Sequence, residues 1–296
     1  MKIIVTGSLG HIGKPLTEEL VQKGHAVTVI SSKPEKQAAI EALGASAAIG
    51  SVGDVEFLTA AFTGADAVYC MIPPGNFFDP NFDLMAECSK LANNYKQAIL
   101  QAGVKRVVHL SSIGAHTDKG NGILRFHYLV ENILRELPSE VAIKHLRPVG
   151  FYYNLFSFIP AIKTQGAIIS NYGDIKEPWV SPIDIAAVAA EEIVKQFEGR
   201  TIRYIASDEL PCNEVAAILG AAIGKPDLKW IAIPDQELLN GLLAAGMNPD
   251  IAKGYVEMNA GRRNGLYEDY YRNKPTLGNV KMTDFAKEFA AVFNQK

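Results

Sequence analysis

The segment Thr6-Gly7-Ser8-Leu9-Gly10-His11-Ile12-Gly13 follows a short apolar run at 3–5 and leads straight into a helical pattern at 12–23. A strand, a loop with evenly spaced glycines and a helix, in that order, constrain this chain more than any other feature. Gly7 permits a tight turn, Gly10 lets a pyrophosphate approach the backbone, and Gly13 lets the helix pack close to the strand with its free N–H groups facing the anion. The segment Gly7, Ser8, Leu9, Gly10, His11, Ile12 and Gly13 is therefore predicted to cradle a dinucleotide.

The same alternation continues. Apolar runs at 26–30, 47–49, 67–71 and 107–110 are each followed by a helical stretch, at 35–43, 55–62, 82–102 and 123–137. Gly24, Gly44, Gly64 and Gly103 close helical stretches before the next strand. Repeated strand–helix units require a parallel sheet covered on both faces. The predicted class is α/β: a Rossmann-type doubly wound parallel sheet with a smaller, loop-rich C-terminal substrate lobe. The division is drawn as 1–150 for the nucleotide domain and 151–296 for a mixed lobe, some segments of which return to the sheet. After Arg147 the alternation loosens, with Pro148, Pro160, Pro178 and Pro182 and a cluster of aromatics at Phe151, Tyr152, Tyr153, Phe156 and Phe158. Helices are expected again at 183–197 and 213–223, a strand at 203–205, and a last helix capped by Thr283 and running to Phe293.

A formal net charge of -3 without a basic arm or stripe gives no reason to expect nucleic acid or an anionic membrane as partner. Cys70, Cys88 and Cys212 are too few and too widely spaced for a disulfide framework or a zinc site and read as buried small hydrophobes. No apolar run reaches membrane-spanning length and no leader pattern opens the chain, so the expected address is cytoplasmic. The oligomeric state, monomer or homodimer, stays open.

The end of the second strand decides the cofactor. NAD-preferring sites place Asp or Glu there to bond the adenosine ribose. This chain has Ser31-Ser32-Lys33, with Lys36 nearby. Two hydroxyls and an ammonium accept a 2′-phosphate that an acid would repel, so NADP(H) is preferred and NAD(H) is the alternative. Lys33 and Lys36 also suit a solvated helix start.

Several further motifs, taken with the glycine loop, resemble the NmrA-like branch of the atypical short-chain dehydrogenase/reductases. They are Ile72-Pro73-Pro74, the run from Leu110 to Ala115, Arg147-Pro148 with Phe151 and Asn154, and Val180-Ser181-Pro182-Ile183-Asp184-Ile185-Ala186. That branch holds quinone reductases, triphenylmethane-dye reductases and NADPH sensors. The resemblance implies that Met71, Ile72 and Pro73 lie along the cofactor, that Ser111 and Ser112 sit near the nicotinamide, and that Phe151 helps to wall the ring. The substrate side is expected from Pro74, Tyr152 and Asn154, and in a reductase Ile72, Pro73, Phe151, Tyr152 and the region after Leu238 would shape the pocket. Two positions depart from the family habit: Ser31 stands where Arg is common, and Ser51 where Asp is common. One of Ser111 and Ser112 reads equally well as a structural cap.

Catalytic members of the wider superfamily carry Tyr-x-x-x-Lys on the helix after the fifth strand, where the tyrosine exchanges a proton with the substrate. Aligning Glu131 with the acid that follows that lysine puts Ile123 at the tyrosine position and His127 at the lysine position, with Tyr128 one residue out of register. His127 and Ser112 are the catalytic candidates. His127 can bond the nicotinamide ribose, supply a proton near neutral pH, or simply be satisfied by Glu131. Asp184 reads as a helix-start residue. His109, His116 and His145 read as structural or solvated, and no grouping has metal-ligand spacing.

Two functions fit this reading: an NADPH-dependent reductase of a small electron-poor acceptor, quinone- or dye-like, or an NADP(H)-sensing protein that binds a protein partner without turnover.

Overall fold

A computed structural model describes residues 1–173 and 175–295; Asp174 and Lys296, both inside the expected C-terminal lobe, lie outside the described residues. The first half forms β1 (Lys2–Val5), α1 (Gly13–Gln22), β2 (Ala26–Ser31), α2 (Gln37–Glu41), β3 (Ser46–Ile49), α3 (Val55–Phe62), β4 (Ala67–Met71), α4 (Leu84–Ala102), β5 (Arg106–Leu110), α5 (Arg125–Arg135) and β6 (Ala142–Pro148). There follow β7 (Gly150–Phe151), α6 (Ile159–Gln165), β8 (Ala167–Ser170), β9 (Lys176–Val180), α7 (Pro182–Val194), β10 (Arg200–Ile205), β11 (Asp208–Pro211) and α8 (Cys212–Ala222). The chain continues with β12 (Lys229–Ala232), α9 (Asp235–Ala244), α10 (Pro249–Arg263), α11 (Glu268–Arg272) and α12 (Met282–Phe293).

Seven strands form one parallel sheet in the order β10-β6-β5-β4-β1-β2-β3. The chain runs outward from β1 to β3, returns to β4, and then builds in the opposite direction. Between β1 and β4 the order reverses, and there the carboxyl ends of the strands open a crevice. Side-chain alternation assigns the two faces. Ile3, Val5 and Tyr69 join one core, packed under α1 and α7, whereas Ile4, Val68 and Cys70 join the other, under α3, α4 and α5. A third core lies in the C-terminal half, where Tyr152, Trp179, Val215 and Phe289 pack with α8 and α12. Two small sheets belong to that half, β11-β9-β7 and β12-β8.

Gly24, Gly44, Gly64 and Gly103 take positive φ after their helices, as expected. Other boundaries moved. The helix expected at 123–137 begins as a tight 3₁₀ turn at Gly122–Leu124 and becomes α-helical at Arg125. The turn is forced by the close approach of α10, since a Cβ on Gly122 would stand 1.9 Å from the Gly254 carbonyl oxygen. The last helix starts at Met282 rather than after Thr283; the Asp284 carboxylate accepts the Lys281 N–H at its start. Asp184 does not cap α7. Ser181 does that, accepting from Ile183 N–H, while buried Asp184 accepts from the Ser207 hydroxyl and from the N–H groups of Asn279 and Val280. The C-terminal half is richer in helix than the sequence suggested. α9 carries Leu238, Leu239, Leu242 and Leu243 at helical spacing, yet none of its side chains is buried. The three cysteines are all buried, as expected for small hydrophobes.

Candidate active site

The glycine loop joins the end of β1 to α1 beside the crevice. Its glycines differ in what they are for. Gly7 sits at φ +95°, and a Cβ there would lie 2.3 Å from Met71 Sδ; a Cβ on Gly13 would lie 2.2 Å from the Ser8 carbonyl oxygen. Both are required by the packing of the loop itself. A Cβ on Gly10 would meet only the Gly7 carbonyl oxygen, at an ordinary 3.6 Å, and the residue is exposed. Nothing within the fold demands glycine there, so its bare backbone leaves a cradle that a side chain would fill. Ser8 adopts φ 57° and is held there by Ser8 N–H to the Ile30 carbonyl and by Ser8 Oγ to Ser31 Oγ, both at 3.0 Å. Leu9 and Ile12 lean onto the core. His11 is exposed and stacks on Tyr153, with ring centroids 4.9 Å apart and 22° between planes.

At the expected adenosine end, Ser31 turns inward. It is 2% exposed, and its hydroxyl accepts from Ser8 Oγ and from the Lys33 N–H. Ser31 therefore shapes the turn, and Ser32, Lys33 and Lys36 are the residues open to solvent.

At the other end, β4 delivers Met71 to the crevice. Its N–H donates to Thr6 Oγ1 and its carbonyl accepts from the buried Tyr95 hydroxyl at 2.8 Å. Ile72 is half-buried, and Pro73 and Pro74 are exposed in the irregular segment that follows. Ser111 is 2% exposed and donates to Glu131 Oε1 at 2.6 Å. Its hydroxyl is thus committed behind the crevice, while Ser112 stays half-buried beside it.

Glu131 does not satisfy His127 by a hydrogen bond. It accepts instead from Ser111, from Arg135, and twice from Arg147. Burial alone would raise its carboxyl, but the Arg147 hydrogen bonds outweigh that and hold it at about 2. Arg147 reaches on to Tyr204 and Asp269. His127, in the first turn of α5, is half-buried against Phe126, and its Nδ1 is buried with no hydrogen-bond partner. Burial pushes its imidazolium down to about 3 despite the nearby Glu131 charge. The ring is therefore neutral at ordinary pH, with one unmet polar atom. The bare cradle at Gly10 and this unmet nitrogen both fit a bound dinucleotide.

The aromatic cluster divides. Tyr152 is 1% exposed, stacks on Phe285 and donates to the Val280 carbonyl, so it belongs to the core and not to an open substrate wall. Phe156 and Phe158 pack there too, against Phe285 and Trp230. The residue facing the loop is Tyr153, which bridges His11 and Phe151 with ring centroids 4.9 and 5.1 Å away. Sequence reasoning missed it because neighbouring residues on a 3₁₀ turn point about 120° apart, and nothing in Phe151-Tyr152-Tyr153 says which ring faces inward. Asn154 is exposed, its carbonyl accepting from Ser157.

The NmrA-like family matches residues 1–269. The chain belongs to that family. NmrA-like relatives include an NAD(P)H azoreductase of Xenophilus azovorans, 28% identical over 87% of this chain and 86% of its own. A (4-alkanoyl-5-oxo-2,5-dihydrofuran-3-yl)methyl phosphate reductase of Streptomyces griseus is 26% identical over 89% of this chain and 88% of its own. Among solved structures, the NADPH-dependent quinone oxidoreductase of Escherichia coli in complex with NADPH superimposes with a TM-score of 0.79, at 22% identity, covering 99% of this chain and 100% of that one. The Citrobacter triphenylmethane reductase complexed with NADP(H) gives 0.77 at 20% identity, covering 97% and 100%. Both share the NmrA-like chain's fold from end to end. No helix among the described residues is long and apolar enough to cross a membrane.

Proposed function

We propose that this protein is an NAD(P)H-dependent reductase that prefers NADPH and delivers hydride to a flat, electron-poor organic acceptor such as a quinone or an azo dye. The observation that carries the reading is the bare Gly10 cradle at the point where the strand order reverses, in a chain whose relatives include two named as reductases. The bound nicotinamide supplies the hydride. Everything else falls to the protein's residues. Gly10 and the first turn of α1 hold the pyrophosphate, and Ser32 and Lys33 accept the 2′-phosphate. Met71, Ile72 and Pro73 would lie along the cofactor, Phe151 would help to wall the nicotinamide ring, and Ser112 would sit near it. His127, neutral at physiological pH, offers its free nitrogen to the nicotinamide ribose instead of giving up a proton. Ile123 occupies the place of the superfamily's tyrosine acid, so the acceptor takes its proton from water, which quinones and azo groups allow. Pro74 and Asn154 stand at the mouth. The test is to follow NADPH consumption by purified protein against a panel of quinones, azo dyes, secondary alcohols and nucleotide sugars. Turnover confined to the first two classes supports the reading; binding of NADPH with no acceptor reduced would make the protein a cofactor sensor.

A further inference from the structure

Residues 72–83, between β4 and α4, form no helix or strand and carry Pro73, Pro74 and Pro80. Prolines remove backbone donors, so such a segment cannot hold its shape with a ladder of its own. Its internal supports are short-range: the N–H groups of Asp79 and Phe82 donate to the Asn76 and Asp79 carbonyls, those of Phe78 and Asn81 to the Asn76 and Asp79 side chains, and the Phe82 ring contacts Phe77 and lodges where a Gly75 side chain would be, 2.1 Å from an added Cβ. The remaining support comes from far along the chain. Asn248 Nδ2 donates to the carbonyls of Asp79, Pro80 and Phe82 at 3.0, 3.2 and 3.3 Å, and Asn248 N–H donates to the Phe77 carbonyl at 2.9 Å. The other end of the same side chain caps α10, its Oδ1 accepting from Asp250 N–H and Ile251 N–H. The residue is 6% exposed.

The same staple lies on the wall of a cleft of about 500 Å³. Phe82 and Leu84 line one side, Ile123 and Arg125 a second, and Asn248 and Ile251 the third. The first wall continues the segment that begins with Ile72 and Pro73; the second carries the residue at the superfamily's tyrosine position. The third belongs to α10, seated on the turn at Gly122–Leu124 by contacts that only glycine permits, since a Cβ on Gly254 would lie 2.6 Å from the Ile123 side chain. Three segments distant in sequence are thus fixed around one opening, and Asn248 is the residue that joins two of them.

We infer that Asn248 is a positioning residue: by stapling residues 77–82 to the start of α10 it fixes the wall of the cleft through which the acceptor reaches the nicotinamide. The acceptor role of the cleft rests on the reductase reading above; the staple does not. Asn248→Asp keeps the α10 cap and replaces the donating amide by a carboxylate facing three carbonyls, and Asn248→Ser keeps a cap with no buried charge and no donor that reaches them. In both variants, hydrogen–deuterium exchange should quicken in residues 75–83 and stay unchanged in α10. With menadione as acceptor, KM should rise about tenfold, the ratio expected from losing well-formed buried hydrogen bonds. The dissociation constant for NADPH and kcat at saturating menadione should each hold within about threefold. Unchanged exchange in residues 75–83 in both variants would overturn the staple. Quickened exchange with an unchanged KM would overturn its role at the acceptor cleft. A wild-type protein that reduces nothing would sink the reductase reading and leave the exchange measurement to judge the staple by itself.

Discussion

Arg147 meets Glu131 with two parallel hydrogen bonds, Nε to Oε1 at 2.9 Å and Nη2 to Oε2 at 2.8 Å, at side chains 3% and 0% exposed. The pair ties the end of β6 to the middle of α5 and, through Ser111, to the loop after β5. Removing Arg147 leaves the buried Glu131 carboxylate with the more exposed Arg135 as its remaining cation, and removing Glu131 leaves the buried Arg147 with Asp269. Arg147→Met should therefore destabilise the fold by about 3–5 kcal/mol, and Arg147→Met combined with Glu131→Met by clearly less than the sum of the two single changes. The sign with pH follows from a carboxyl held at about 2 against an ordinary 4.5. Its stabilisation is fully present above pH 4.5 and is lost as pH falls toward 2. Denaturant melts of the four proteins at neutral and acid pH check both statements.

Gly10 and Gly13 should separate binding from folding. Gly10→Val has room in the fold, so it should keep a near-wild-type melting temperature and lose NADPH binding. Gly13→Val places its Cβ against the Ser8 carbonyl oxygen and should lower the melting temperature outright. Thermal melts with cofactor fluorescence titrations decide it; a Gly10→Val protein that binds normally would remove the cradle from the account.

Lys33→Ala should raise the dissociation constant for NADPH about five- to tenfold and leave that for NADH unchanged, because only NADPH carries the 2′-phosphate the ammonium would meet. Ser31→Ala should act on stability and not on this ratio, its hydroxyl being enclosed between Ser8 and Lys33. Equal losses for both cofactors at Lys33 would place the 2′-phosphate elsewhere.

With the His127 imidazolium held down to about 3, the ring does not titrate between about pH 6 and 8, so turnover should show no step attributable to it there. The linkage is that of a depressed histidine. Stability is complete above its ordinary value of 6.5 and declines as pH falls from there toward 3. His127→Ala should lower kcat by less than about tenfold, whereas removal of a true general acid commonly lowers it about a hundredfold or more. A hundredfold loss, with a rate step near neutrality that vanishes in the variant, would make His127 the proton donor.

The sequence and the structure agree most closely where the controlling interactions are local. Glycines at 7, 10 and 13 sit within one loop, and the apolar runs at 3–5, 26–30, 47–49, 67–71 and 107–110 each form a strand of the parallel sheet, whereas β6 at Ala142–Pro148, which also lies inside it, went unread in the sequence. What was illegible depends on distance or on orientation. Ser31 looked like a phosphate ligand because nothing local shows that Ser8 would come back across the sheet to take its hydroxyl. Tyr152 and Tyr153 are indistinguishable in sequence, yet one is core and the other stacks on His11. Ser111 and Glu131 meet across a strand and a helix. Asn248 is 169 residues from the Asp79 carbonyl it binds, beyond the reach of any periodicity argument.

The central claim, hydride transfer without an enzyme acid, is tested most directly by mixing the NADPH-loaded protein anaerobically with menadione and following the loss of NADPH absorbance in a single turnover. The account predicts fast oxidation of bound NADPH, a slower reaction when the transferred hydrogen of NADPH is deuterium, and no reaction when acetone replaces menadione. NADPH that stays reduced on the protein with menadione, or that reduces acetone equally well, would contradict it.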